Sequence, residues 1–529
     1  MYTRENFTAE EISILNRYFT NVDKPVFVLI NLPEVVKGAL FARYSRSSKS
    51  LRRLFLDEFY SNTSNIFDGN IDNKNEFDST RAEKLYDRVF SEYGDDSVAQ
   101  LGAAHVACEQ SSNVLTKILE RGRLSSYLEQ STRYIFYDKK NNVGHYNYYI
   151  PEEIKGEKLH QKYIKIINEN FDDYSFIVRK LYDYFSDKYP KTDNDSELIY
   201  RSTIRAKACD GARGLLPAST KSNIGVFASG QAYERMIIRM NSYHLEEVRN
   251  YAKMLLDELR KVIPSFLKRV DLEDRGVVWS NYFKSKRISM EKTTKITNQL
   301  PIDVPEVDLI DWDEDAEMKL IIAALYPYSS VPEKQIRKII MELSPDEKNK
   351  IIEDYIGDRS NRRHIPGRAL ETSFYRFDIL SDYGSFRDLQ RHRMLTIDWQ
   401  NLTIDHGYRI PEVIYEISEQ DRWDKVMLRS IELFSEIQSI YGDYVAQYAV
   451  PLGFRFRYIM QMNIREAFHV IELRTSRQGH PDYRRVCQEM HRLIRDKAGH
   501  KLIAGAIKYV DYNEYDLERL ESERKSKTR

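Results

Sequence analysis

Four short landmarks occur twice along this chain, in the same order. Arg121-Gly122-Arg123 is followed by Tyr149-Ile150-Pro151-Glu152, then Leu216-Pro217, then Ile237-Ile238-Arg239. Arg391-His392-Arg393 is followed by Arg409-Ile410-Pro411-Glu412, then Val450-Pro451, then Glu472-Leu473-Arg474. The last proline-to-arginine interval is 22 residues in one set (217 to 239) and 23 in the other (451 to 474). Corresponding landmarks lie about 235–270 residues apart. Chance could supply one such pair; four in series describe a divergent internal repeat. A chain of 529 residues also exceeds what one hydrophobic core usually holds. Two domains of one fold are therefore expected.

The clearest shift in composition falls near Ser285–Glu317, which carries Pro301 and Pro305 and an acidic run after a basic one. It predicts a first domain over 1–284, a linker over 285–316, a second domain over 317–510 and a charged tail over 511–529. A long surface loop inside one domain would have the same composition.

Helix signals dominate. Thr8 with Glu11 has capping-box spacing, followed by Ile12, Leu15 and Phe19 at helical intervals. Ser344-Pro345-Asp346-Glu347 repeats the device with proline at the first helical position. From Asp96 to Arg121 there is no proline and a single glycine, which predicts a long helix. Strands are expected at Val26–Ile30, Tyr146–Ile150 and Thr132–Tyr137, all rich in β-branched and aromatic residues. The fold class is α+β, with helix in the majority.

Lys+Arg and Asp+Glu both number 81, so no overall basic field draws the molecule onto nucleic acid. An anion site must be built locally, from placed arginines. The three cysteines, Cys108, Cys209 and Cys487, are far apart and lack metal-ligand spacing. That predicts neither a disulfide framework nor a thiolate metal site, and no metal is expected. Cys209 reads as buried structure. With no apolar run near ~18 residues, a soluble cytoplasmic protein with no membrane partner is expected.

The segment from Arg121 through Arg123, Ser131 and Arg133 to Tyr134 resembles the signature of the flavin-dependent thymidylate synthase (ThyX) family. That signature reads Arg-His-Arg, seven residues, Ser, one residue, Arg-Tyr. Ser97-Val98 resembles the Ser-Val that precedes it, and Tyr149-Ile150-Pro151 a Tyr-Ile-Pro that follows. The stretch Asp210 to Arg213 to Pro217 is similar to a Glu-x-x-Arg-x-x-Leu-Pro element. In the second half Arg391-His392-Arg393 keeps the full triplet, while Asn463-x-Arg465 and Glu472-Leu473-Arg474 resemble the family's Asn-x-Arg helix and its end. The resemblance covers roughly residues 90–260 and 360–495. The departures are complementary. Gly122 replaces the signature histidine, and the first-half Asn-x-Arg element reads Ala228-Ser229-Gly230. Asn401 and Thr403 stand at the second-half signature Ser and Arg, with Tyr444 and Gln447 at the Glu-x-x-Arg pair.

The resemblance implies reductive methylation of dUMP, with carbon from methylenetetrahydrofolate, hydride through FAD, and NADPH as reductant. Such a site holds a phosphate, a flavin pyrophosphate and a uracil edge. A guanidinium, always charged and planar, suits all three. By resemblance, Arg121, Ser131, Arg133, Arg213 and Arg391 would bind dUMP, and Arg239 and Arg474 would be the catalytic arginines. Arg123, His392, Arg393, Asn463 and Arg465 would contact FAD. Asp210 and Arg213, three apart on a helix, could equally form a local ion pair. The complementary losses suggest that the first half serves the nucleotide and the second the flavin. The family's shared-site tetramer implies a homodimer of this chain, a pseudo-tetramer of domains. Two alternatives remain: a nucleotide- or flavin-binding protein without turnover, and a methylase acting on uracil in another nucleotide or in nucleic acid.

Overall fold

The computed structural model describes residues 5–32, 40, 44, 47–60, 103–193, 195–297, 299 and 302–515. Ser97-Val98 and the tail from 516 onward lie outside them. The chain forms two compact units. The first comprises Met1–Phe185, Arg205–Leu300 and Glu412–Pro451; the second comprises Ser186–Ile204, Pro301–Pro411 and Leu452–Arg529.

In the first unit four antiparallel strands lie in the order β1-β2-β4-β3. They are β1 (Val26–Leu29), β2 (Ala103–Ser112), β3 (Ser125–Glu129) and β4 (Lys221–Ser229). Helix α1 (Ala9–Tyr18) starts at the expected capping box, Thr8 accepting from Glu11 N and Glu11 from Thr8 N. Strand β1 is buried throughout, as its unbroken apolar run requires. The helix expected over Asp96–Arg121 is corrected: its described part is strand β2 and then helix α2 (Asn113–Leu119), capped by Ser112. Pairing on both sides, with β1 and with β4, outweighs the helical preference of the Ala-rich stretch. Gln110, at φ +60°, marks an irregularity in β2 between Cys108 and Ser111. The strands expected at Tyr146–Ile150 and Thr132–Tyr137 do not form; Tyr148 makes a single bridge to Thr220. The tyrosines there pack instead as buried rings, Tyr146 stacked on Phe171 at 5.0 Å. The unit's further helices are α3 (Glu157–Lys188), α4 (Glu197–Ala212, from Arg205 onward), α5 (Gly230–Asn241), which packs on β4, and α6 (Glu246–Leu259), which packs on β1.

The helix Gln420–Tyr441 also belongs to the first unit and lies along α3. Asn170 donates to Ser430 Oγ at 2.9 Å, and Arg422 and Arg429 both reach Asp173. These are buried or half-buried polar contacts, flanked by the apolar Trp423, Val426, Leu433 and Ile437.

The second unit repeats the sheet, in the order β5-β6-β8-β7. The strands are β5 (Val307–Trp312), β6 (Phe374–Asp382), β7 (Leu395–Trp399) and β8 (Arg455–Asn463). Burial alternates along β6 and β8, one face fully buried and the other half-buried. Helix α7 (Pro345–Ile356) opens on the Ser344 capping box. Helix α8 (Tyr383–Leu389) follows β6, α9 (Ile464–Arg474) follows β8, and α10 (Pro481–Asp496) packs behind.

Strand registers set the correspondence between units. Ser125 pairs with Ala228, as Leu395 pairs with Met462. Ser229 caps α5 and Asn463 caps α9, each ending its strand. This corrects the first-half Asn-x-Arg element: Ser229, not Ala228, stands where Asn463 does, and Gln231 stands where Arg465 does. All three cysteines are free and buried.

Candidate active site

In the first unit, Arg239 sits in the last turn of α5. Its Nε and Nη2 are out of reach of water and have no hydrogen-bond partner. Burial and the nearby Arg121 charge push its pKa down to about 10, so it stays protonated near neutrality. Two guanidinium groups close together, one with two buried nitrogens and no counter-charge among the described residues, make a site that an anion or a carbonyl edge would stabilise. Arg213 is buried in a short 3-10 turn and also has an unpartnered Nη2. Arg121 and Arg123 are exposed.

Arg133 is held differently. Its Nε and Nη2 reach the two oxygens of Asp210, both at 2.7 Å, while Ser131 Oγ accepts from its backbone N–H. Asp210 is thus paired across 77 residues of sequence, not with Arg213, which lies in the 3-10 turn just past the end of α4. Tyr127 was not singled out from sequence. Its hydroxyl donates to Gly122 O at 3.1 Å, and it lies within electrostatic reach of Arg239. Glu247 was missed as well. It is fully buried, accepts from Ser112 N, Ser112 Oγ and Tyr448 Oη, and burial lifts its pKa to about 7.

The second unit closes the corresponding position with its own side chains. Arg474 Nε donates to His392 Nε2 at 2.8 Å, and Arg474 Nη1 lies 3.6 Å from Asp388. Arg391 also pairs with Asp388. His392 Nδ1 lies 3.2 Å from Glu466 Oε1, and His469 Nδ1 lies 3.4 Å from Glu466 Oε2. Burial and the Arg474 charge push the imidazole down to about 4, so it is neutral with its proton on Nδ1. The hydrogen bonds from His392 and His469 hold Glu466 well below the usual carboxylate range. Asn463 caps α9 by accepting from Glu466 N. Arg465 is spent on Glu371 and Pro366 O, and Arg393 is exposed. Asp388, Glu466 and His469 escaped sequence reasoning. Their signal was spacing: Asp388 three before Arg391, and Glu466 three after Asn463.

His392, Glu466 and His469 bring ligand atoms within 4.8 Å of one another, the spacing of a cation site. The donor set does not fit one. Arg474 donates to Nε2 of His392, which leaves the proton on Nδ1, the atom a metal would need, and sets a positive charge beside it. The cluster is an ion-pair network.

The thiols offer no nucleophile. Burial pushes Cys108 and Cys487 up to about 12, and Cys209 Sγ donates to Ile135 O. Among the described residues no helix is long and apolar enough to cross a membrane.

The family model "Thymidylate synthase complementing protein" matches residues 40–265 and again 308–498. The chain belongs to this family. A UPF0159 protein of Chlamydia pneumoniae is 35% identical over 98% of both chains. The UPF0159 protein Ta1429 of Thermoplasma acidophilum is 34% identical over 92% of this chain and 97% of its own. A protein of Pyrococcus furiosus named flavin-dependent thymidylate synthase is 26% identical over 34% of this chain and 63% of its own. The family match in two blocks, with one strand order in both units, makes this a tandem form of the thymidylate synthase complementing fold.

Proposed function

We propose that this family member is a flavin-dependent methylase of a uracil nucleotide, with dUMP as the substrate and dTMP as the product. The observation that carries the reading is Arg239, a half-buried cation whose Nε and Nη2 are buried and unpartnered, with a second guanidinium beside it. An unmatched buried charge is costly unless a ligand completes it. Arg213, Arg121, Ser131 and Arg133 are the further candidates for holding the nucleotide. Arg133 would act there as a charge already shared with Asp210.

FAD would be held by Arg393, which is exposed; Arg465, in the first turn of α9, would join it by giving up its pairing with Glu371. When bound it supplies the hydride, with NADPH as reductant and methylenetetrahydrofolate as carbon donor. His392 does not fit as a proton donor to the flavin, because both of its nitrogens are engaged within the protein. That sealed histidine favours, as a second reading, a protein that binds nucleotide and flavin without turnover. The family's multi-domain sites and ordinary composition support a cytoplasmic homodimer.

The test is the visible spectrum of the purified protein, followed by titration with dUMP. A flavin spectrum perturbed by dUMP, with dTMP formed on adding the carbon donor and NADPH, is expected. A colourless protein that ignores dUMP would sink both readings; perturbation without dTMP would leave the second. Arg239→Ala should weaken dUMP roughly 10- to 150-fold while the flavin is retained, the loss of one charge-assisted contact. Light scattering should give twice the chain mass.

A further inference from the structure

The two units place an arginine at the end of the helix after their third-ranked strand, and surround it oppositely. In the second unit three side chains satisfy Arg474 or its immediate partner: Asp388, His392 and Glu466. Helices α2 and α8 are each seven residues long and each capped by the preceding strand's last residue, so Asp388 corresponds to Ile118 and His392 to Gly122. Helices α5 and α9 start from the corresponding caps Ser229 and Asn463, so Glu466 corresponds to Ala232. All three partners are therefore missing from the first unit. Two apolar residues and a glycine stand in their place.

The space is closed without restoring the charge. A Cβ on Gly122 would lie 2.6 Å from the Tyr127 hydroxyl, so that phenol takes up room a side chain at 122 would need. In the second unit the residue corresponding to Tyr127 is Ile397, which has no hydroxyl to collide with His392. Tyr127 spends its proton on Gly122 O, not on the guanidinium, which needs none. Arg239 and Arg474 meet the corresponding neighbours, Arg121 and Arg391, although they differ by one position along their helices. The loss of the signature histidine is in this light a gain: it leaves Arg239 uncapped.

We propose that ligand binding through this arginine is confined to the first unit, because positions 118, 122 and 232 withhold the partners that close the second. Arg474 is then a structural guanidinium. Gly122 and Tyr127 are positioning residues that keep Arg239 open. This rests on the uracil-nucleotide reading and adds to it the number and location of sites.

Calorimetric titration of the full chain with dUMP tests it. One nucleotide per chain is expected; two equivalent nucleotides per chain would overturn the proposal. Ile118→Asp installs the counter-charge of the second unit, and should weaken dUMP about 30-fold or more, whereas Ile118→Asn, of equal size and uncharged, should stay within about threefold. Equal affinity of the two variants, both folded by circular dichroism, would overturn it as well. If Ile118→Asp does not fold, the double change Gly122→His with Tyr127→Ile transplants the imidazole cap. It should weaken dUMP about 10-fold or more without lowering flavin content, and unchanged affinity would count against the proposal. A wild-type chain that takes up no dUMP would remove the nucleotide reading itself. One that binds two removes only this inference.

Discussion

At the foot of helix α2 the first unit buries Lys117 between Glu120 and Glu129, all three almost fully out of water. The second unit has Arg387, Gln390 and Trp399 at the corresponding positions, and carries its carboxylate one residue on, at Asp388. The backbones agree strand for strand and the charges do not. In the first unit the acids are used up on a lysine and the arginine is left unmatched. In the second an acid reaches the arginine. Duplication has kept the frame, which hydrophobic burial and sheet pairing enforce, and has let the ion pairs drift to different partners. A few kcal/mol of charge placement is enough to give one fold two chemistries.

The largest effect that could break this comparison is expected at Lys117. Replacing it with Met takes the lysine's charge away from two buried carboxylates, Glu120 and Glu129, and should cost about 3–5 kcal/mol in the first unit. Urea unfolding followed by hydrogen exchange assigns the loss to a unit; a loss spread equally over both would contradict the assignment.

The next effect is in pH. Glu247 has its pKa lifted from 4.5 to about 7 on folding, so the stability it contributes is full below about 4.5 and is lost as pH rises to 7. His392 has its pKa lowered from 6.5 to about 4, so its contribution is full above 6.5 and is lost as pH falls toward 4. Each is worth roughly 3 kcal/mol over its window. Between these limits the first unit should weaken, and the second strengthen, as pH rises. Glu247→Gln should flatten the first trend and leave the second. Thermal melts at half-unit steps of pH would expose parallel trends if the comparison is mistaken.

The smallest effect sharpens the register. Ser229→Ala and Asn463→Ala each remove one helix cap, and should cost about 1 kcal/mol apiece. Clearly unequal costs would mean that the two caps are not true equivalents.

Much of this frame was legible before any coordinates. The repeat, the caps at Thr8 and Ser344, the buried strand at Val26 and the α+β class all follow from local spacing and propensity. Strand β2 was not, because residues 104–109 are buried on both faces, and a run without alternation cannot be told from a helix by its period. The rings of Tyr146–Tyr149 alternate in sequence but are claimed by packing against α3 and not by a ladder. At the site, the signature intervals pointed to Arg239, Arg474 and His392. They could not show which arginines are matched, since Arg133 finds Asp210 far along the chain. That Ile118 faces the role of Asp388 becomes visible only when helices α2 and α8 are aligned by their caps.

The helix Gln420–Tyr441 lies more than a hundred residues beyond the last strand of the unit it completes. Until it is synthesised, α3 lacks the partner that meets Asn170 and Asp173. The first unit cannot then finish on the ribosome in the order in which it is made, but must wait for residue 451, after most of the second repeat has emerged. Such long-range closure slows folding and lengthens the time an apolar helix face is open to other chains. A gene cut between the repeats would leave the leading product with that face uncovered, and chaperone dependence should be greatest for the nascent chain between those two points.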